Sequence, residues 1–334
     1  MNQEELIPGT PYEGLFIVVR KSLLTTRQGN PYGVVVLMRE GMEVEGKVWD
    51  GAEGVLGEIN EGMVVRVRGQ VEQYQGRIQL VVGSIVPVPD VAPAELMPRA
   101  PVPEAELTRR LVELVRWVNH KGLRQLLEGL FIRDKEFWEA FRQAPAAKAA
   151  HHAYVGGLLE HTVGVAEAAK AIARCYPQLD GQLLVAGALV HDIGKVRELS
   201  LGPPIDYTPE GRMLGHLVMG AQMLEERLGR VKALGTEVGL HLKHMILSHH
   251  GHYEFASPRR PKTAEALVLH LLDDMDAKLA MFREAAQGAG GPWSDYHRLL
   301  ERYLYVGPSP LQPDNSEPTG HQPHPIPGLF DGHE

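Results

Sequence analysis

A run of prolines divides this chain into two kinds of pattern. Pro87, Pro89, Pro93, Pro98, Pro101 and Pro103 stand between segments that repeat with different periods. Proline fixes its own φ and restricts the residue before it, so no regular element crosses such a stretch intact. Before it the apolar residues fall in short β-branched runs: Phe16-Ile17-Val18-Val19-Arg20, Gly33–Met38, Met63–Val71 and Arg77–Val82. Val65, Val67 and Val71 alternate with Arg66, Arg68 and Gln70, the mark of a half-buried strand. Roughly five strands in so short a stretch fit a small barrel of the OB type. After the prolines the period changes to helical, as in Leu107–Val118, Gly157–Cys175, Gln182–Val190, Leu217–Leu228, Val238–Ser248 and Thr263–Phe282.

The chain therefore reads as multidomain: an all-β barrel over residues 1–88, a linker over 89–104, an all-α helical bundle over 105–306 and a disordered proline-rich tail over 307–334. No apolar run reaches the roughly 20 residues of a membrane span. Nor does the acidic start, Met1-Asn2-Gln3-Glu4-Glu5, resemble a signal peptide. One cysteine, Cys175, cannot form an internal disulfide. Together these favour a cytoplasmic protein with no membrane partner. The formal net charge of −8 argues against a binder driven by overall basicity, and leaves room for a local basic groove.

Within the helical half, histidines and carboxylates recur beside apolar runs: His161, the pair His191–Asp192, His216, the pair His249–His250, and Asp273. Each alone has an ordinary explanation. His161 could be a core histidine, and His249–His250, with Gly251 after them, could cap a helix and meet its dipole. His241 and His244 are assigned to that background. Neighbours on a helix diverge by about 100°, so His191 and Asp192 reach one ion only near a helix end or if the carboxylate bridges. Asp273 is the inward carboxylate of the run Asp273, Asp274, Asp276, which leaves the other two solvated or behind the ligands. Imidazoles and carboxylates suit Mn²⁺, Fe²⁺ or Zn²⁺, and two close cations suit phosphate-ester hydrolysis.

In order, His161, His191–Asp192 and Asp273 resemble the H…HD…D signature of the HD-domain metal-dependent phosphohydrolase superfamily. With His216, His249, His250 and the barrel ahead, the chain is similar to the branch of YhaM-type 3′-to-5′ exoribonucleases. The resemblance runs over roughly residues 10–305, through His151–Thr162, Val190–Leu199, Tyr207–Gly211 leading to Gly215-His216, Leu247–Gly251, and Glu265-Ala266-Leu267 through Asp273–Lys278. It implies one metal held by His161, His191, Asp192 and Asp273. Asp192 would bridge to a second metal held by His216, His249 and His250. Lys195 would lie near the substrate phosphate, against a plainer role as a cation at a helix end. His151 and His152 border the site or lie on the surface. The cofactor implied is a pair of divalent ions, Mn²⁺ first, with Fe²⁺, Co²⁺, Zn²⁺ or Mg²⁺ as alternatives, and the chemistry is attack by a two-metal-activated water.

The implied partner is single-stranded RNA or DNA, with a homo-oligomer left open. On the barrel, Arg20, Lys21, Tyr32, Lys47, Arg66, Arg68, Tyr74 and Arg77, together with Arg27 and Trp49, could track a strand by phosphate contact and base stacking. Against this, residues 1–90 hold 8 basic and 12 acidic side chains, a balance of −4, and the plainer reading puts Trp49 in the core. Two other functions compete: an HD hydrolase of nucleotides or a cyclic dinucleotide, and a non-catalytic nucleic-acid-binding regulator. The cyclic-dinucleotide branch expects Gly-Tyr-Pro after the paired histidines, where this chain has Gly251-His252-Tyr253.

Overall fold

The structure, a computed structural model, describes residues 6–148 and 152–308. Its first elements are β1 (Pro11–Thr25), β2 (Pro31–Arg39), β3 (Met42–Val48), the short helix α1 (Ala52–Glu58), β4 (Val64–Tyr74) and β5 (Arg77–Pro87). The strands close into a barrel in the order β1-β2-β3-β5-β4, with β4 pairing back onto β1. Only the β3–β5 pairing is parallel, which the chain reaches by crossing over after α1 and β4. The alternation seen in the sequence holds: Val65, Val67 and Val71 are buried while Arg66, Arg68 and Gln70 face out. Helix α1 interrupts what the sequence reads as continuous β. Its Ala52 and Leu56 join the barrel core, and the Lys21 ammonium donates to the Leu56 and Ile59 carbonyls at 2.7 and 2.5 Å, closing the helix end.

The proline-rich stretch is packed rather than free. Leu96 and Met97 bury against Ile17 and Val64 of the barrel and Val155 and Ile205 of the helical half. Backbone bonds fix it on both sides, from the Glu40 amide to the Leu96 carbonyl at 2.6 Å and from the Val155 amide to the Pro98 carbonyl at 2.9 Å. Proline composition alone reads as a spacer; two apolar side chains between the prolines make it a seam.

The helical half comprises α2 (Glu104–Trp117), α3 (Lys121–Glu128), α4 (Lys135–Gln143), α5 (Gly157–Cys175), α6 (Gly181–Val190), α7 (Lys195–Glu198), the hairpin β6 (Leu199–Ser200) and β7 (Asp206–Tyr207), α8 (Pro209–Leu228), α9 (Thr236–Ser248) and α10 (Ala264–Gln287). Helix α6 is apolar all round, with Leu183 through Val190 all buried, as a helix at the centre of a bundle must be. Each of its leucines and valines contributes on the order of 1.5–3 kcal/mol by leaving water. Asp180 starts it by accepting from the amides of Gln182 and Leu183 at 3.0 Å each. None of the described helices is long and apolar enough to cross a membrane.

The last helix ends at Gln287, earlier than the expected helical pattern to about residue 305. Gly288, Gly290, Gly291 and Pro292 follow at once and break it. Beyond it, the described residues form the isolated bridges Trp293–Tyr305 and His297–Arg302. The chain divides into two compact units between Met281 and Phe282. The expectation for the tail falls, from residue 309, outside the described residues.

Candidate metal centre

Helix ends and one kink bring the seven residues together. His191 caps α6, Asp192 follows it, His249 caps α9 and His250 follows that; His161 and Asp273 project from within α5 and α10. His216 arrives through a break in α8, where Gly215 adopts φ 73°, a conformation open mainly to glycine. Gly251, with φ 76°, turns the chain away after His250.

Asp192, 1% exposed, sits in the middle. Its Oδ2 lies 3.6 Å from His161 Nε2 and 3.4 Å from His191 Nε2. Its Oδ1 lies 3.6 Å from His216 Nε2 and 3.4 Å from His249 Nε2. On the first side, His161 Nε2 is also 3.1 Å from Asp273 Oδ1 and 3.2 Å from His191 Nε2. On the second, His216 Nε2 is 3.2 Å from His250 Nε2, and His216, His249 and His250 present ligand atoms within 4.8 Å of one another. The two oxygens of one carboxylate thus face two separate groups of imidazoles.

The outer nitrogens decide what the inner ones can do. Nδ1 donates to the Ala188 carbonyl in His191 (2.7 Å), to the Ile246 carbonyl in His249 (2.8 Å) and to the Phe255 carbonyl in His250 (2.8 Å). In His161 it meets Asp276 Oδ2 at 2.8 Å, and in His216 it meets Glu198 Oε1 at 3.0 Å. A carbonyl can only accept, so each neutral ring carries its proton on Nδ1 and turns a lone pair inward from Nε2. Two such lone pairs 3.2 Å apart, as in the pairs His161–His191 and His216–His250, repel unless a cation or a proton lies between. Neither oxygen of Asp192 has a hydrogen-bond partner, although Lys195 Nζ makes an ion pair 2.6 Å from Oδ2. A buried carboxylate oxygen left that way is costly, and the donor set fits a pair of divalent cations.

The electrostatics agree. Burial opposes charge on His191, yet the Asp192 and Asp273 carboxylates outweigh it and raise its pKa to about 10. Burial also opposes the anions, but Lys195 and His191 hold Asp192 well below the usual carboxylate range, and His161 and His191 do the same for Asp273. Burial, with the neighbouring His191 charge, pushes His249 down to about 3 against the pull of Asp192. The carboxylates stay ionised, and the histidines compete for whatever positive charge enters.

Behind the ligands stand Glu198, which the sequence motifs do not single out, and Asp276 and His152, whose placement they leave open. Glu198, 8% exposed at the end of α7, accepts from both Nδ1 and the backbone amide of His216, at 3.0 and 2.9 Å. Asp276 accepts from His161 Nδ1 and faces His152 Nε2 at 3.1 Å. His152 is buried, not superficial, and its Nδ1 meets the Tyr154 hydroxyl at 2.9 Å. That hydroxyl donates to Glu160 at 2.5 Å. Asp274 pairs with Lys278 at the surface, His244 accepts from the Lys262 amide, and His151 lies outside the described residues.

On the barrel, five of the eight suggested contact residues line one groove of about 1480 Å³: Arg20, Tyr32, Lys47, Tyr74 and Arg77. Trp49 joins them, half exposed and stacked on Tyr32 with ring centroids 4.9 Å apart, so it is not a core residue. Lys47 stands over the Tyr32 ring. The other three lie elsewhere: Lys21 closes α1, while Arg66 and Arg68 pair with Glu13 at 3.4 and 2.8 Å.

The fold and the site define the class, an HD domain preceded by an OB-fold barrel. Residues 158–278 match the HD domain model, and residues 17–88 match a model described as an OB-fold nucleic acid binding domain. Over 282 residues the chain is 32% identical to the 3′-5′ exoribonuclease YhaM of Oceanobacillus iheyensis, covering 84% of this chain and 88% of that one. It is 35% identical to the YhaM of Bacillus subtilis over 285 residues (84% and 90%) and 35% identical to that of Listeria innocua over 273 (80% and 85%). The chain belongs to the YhaM family.

Proposed function

We propose that the protein is a divalent-cation-dependent 3′-to-5′ exoribonuclease that shortens single-stranded RNA, with DNA as a second substrate. The observation that carries this reading is Asp192, whose two buried oxygens face two separate histidine groups, Lys195 being paired to one of them. His161, His191, Asp192 and Asp273 would hold one cation, and Asp192, His216, His249 and His250 the other. Mn²⁺ is the first choice, with Fe²⁺, Co²⁺, Zn²⁺ and Mg²⁺ as alternatives. When bound, the cations would supply an activated water and neutralise charge on the phosphoryl oxygens. The chain's own residues do the rest. Glu198 and Asp276 fix the tautomer and orientation of His216 and His161. Lys195 brings a positive charge beside Asp192, where a phosphate oxygen can be met.

The barrel would track the strand by stacking on Tyr32, Trp49 and Tyr74 and by phosphate contacts from Arg20, Lys47 and Arg77. Lys21, Arg66 and Arg68 do not line that groove and are left out of the face. The lone exposed cysteine, Cys175, supports a cytoplasmic location. The deciding experiment uses 5′-labelled single-stranded RNA with Mn²⁺. The wild type should give a ladder shortening from the 3′ end, and Asp192→Asn should give none while unfolding at a similar temperature. A ladder from Asp192→Asn sinks the site assignment. Turnover of free nucleotides without a ladder would point to a nucleotide hydrolase instead.

A further inference from the structure

A cavity of about 380 Å³ opens directly beside the candidate metal centre. Lys195, Glu198 and His216 form one wall, and Lys148 and Tyr207 stand across from them. Its volume falls near the lower end of the ~300–1,000 Å³ that holds one small ligand. The barrel groove is several times larger, so the two cavities suit different lengths of the same chain.

The far wall has a definite chemistry. Tyr207, 41% exposed, ends the β6–β7 hairpin. The Lys148 ammonium stands 5.8 Å over that ring. Asp206 is shared between Lys148 at 2.8 Å and Arg212 at 2.9 Å, so two cations face one carboxylate and the rim carries a net +1. In a chain of net charge −8, that places positive charge at the entrance to a site of buried anions. The Tyr207 amide also bonds Asp206 Oδ1 at 2.7 Å, which ties the ring's position to the charged cluster. The hairpin is held by its backbone pairing and by the Ser200 and Asp206 side chains, so the Tyr207 ring, with the Lys148 ammonium over it, is not part of what holds it together.

We propose that this cavity is the subsite for the terminal nucleotide of the substrate, with Tyr207 as the stacking platform for its base and Lys148 as a contact for its phosphate. The assignment rests on the exoribonuclease reading and says which end-group that site accepts. Stacking on a ring accepts every base, because each has a π-face, so the subsite tolerates sequence while demanding a base.

The test titrates the full-length protein, loaded with Mn²⁺, with adenosine 5′-monophosphate and with ribose 5-phosphate, which lacks the base. Wild type should bind the nucleotide about tenfold more tightly, the factor that base–aromatic stacking commonly supplies. Tyr207→Ala should remove that preference and leave ribose 5-phosphate binding unchanged, whereas Tyr207→Phe should keep it. Lys148→Ala should weaken both ligands alike. A preference that survives in Tyr207→Ala, or is missing from the wild type, overturns the proposal. Failure of the exoribonuclease reading shows separately, as no shortening of RNA by the wild type, and leaves the base preference measurable.

Discussion

Two carboxylates stand behind the two groups of histidines, one to each group, so removing them should uncouple the sites. Glu198 Oε1 is the shared acceptor for His216 Nδ1 and the His216 amide. At 8% exposed it has little water to replace it, so screening reduces its effect little. A hydrogen bond to a charged group contributes about 1.5–3 kcal/mol, and loss of such a supporting partner typically costs 10–100-fold in metal affinity. Glu198→Ala should therefore weaken one of two Mn²⁺ sites by about 10–100-fold, or ~1.4–2.7 kcal/mol, and spare the other. Glu198→Gln keeps an acceptor in place and should lose about tenfold, near the low end of that range. Asp276→Ala should weaken the opposite site. Its side chain is 23% exposed, so water softens the loss toward the smaller value. Calorimetric titration of chelator-treated protein with Mn²⁺ reads both sites at once. If the two variants depress the same site, or both sites together, the division of ligands about Asp192 is wrong.

Protons compete with the cation at His191. Its pKa, carried to about 10 by Asp192 and Asp273 against burial, lies above the ordinary histidine value. In the cation-free protein this charge stabilises the fold most fully below about pH 6.5, and the contribution is lost as pH rises through 10. Binding a cation must expel that proton, so Mn²⁺ affinity should rise by about tenfold per pH unit between roughly pH 6.5 and 8.5; a flat profile would refute it. Gly194→Ala should be severe, because a Cβ there would stand 2.1 Å from the His216 carbonyl oxygen and 2.7 Å from the Gly220 nitrogen. Both are backbone atoms that cannot step aside. A loss of about 3 kcal/mol, or roughly 6–12 °C in Tm, should be seen by thermal unfolding. Trp49→Ala removes half of the Tyr32 stack and should weaken single-stranded RNA about tenfold by anisotropy, with Tm within a few degrees. Unchanged affinity would remove the groove from the binding face.

The sequence exposed the barrel because Val65, Val67 and Val71 alternate with charged residues, and it exposed the helices because their apolar stripes are long. It concealed whatever depends on contacts between distant segments. Nothing local marks Glu198, which lies 18 residues before the histidine it supports. Asp276 looks like Asp274 in the sequence, and only the position of His161 separates a buried acceptor from a surface ion pair. For Trp49 the sequence leaves both a stacking face and the core open; closure of the barrel places it against Tyr32 in an open groove. Lys21, Arg66 and Arg68 read as phosphate contacts until their partners Leu56, Ile59 and Glu13 are seen.

The competing explanation of the histidine pairs as helix caps turns out to be half of the site. A helix leaves its last carbonyls without intrahelical partners. His191 and His249 each turn Nδ1 onto the carbonyl three residues back, Ala188 and Ile246. That one bond satisfies an orphan acceptor at the helix end, and it also fixes the proton on Nδ1, leaving Nε2 free to ligate. Capping and ligation are therefore one geometry and not rival accounts. The same logic explains why His161, placed within a helix where carbonyls are already used, needs Asp276, while His216, directly after the break at Gly215, is held by Glu198. His191 and His249 thus carry their support with them, whereas His161 and His216 take theirs from carboxylates of other segments and His250 takes its from the Phe255 carbonyl.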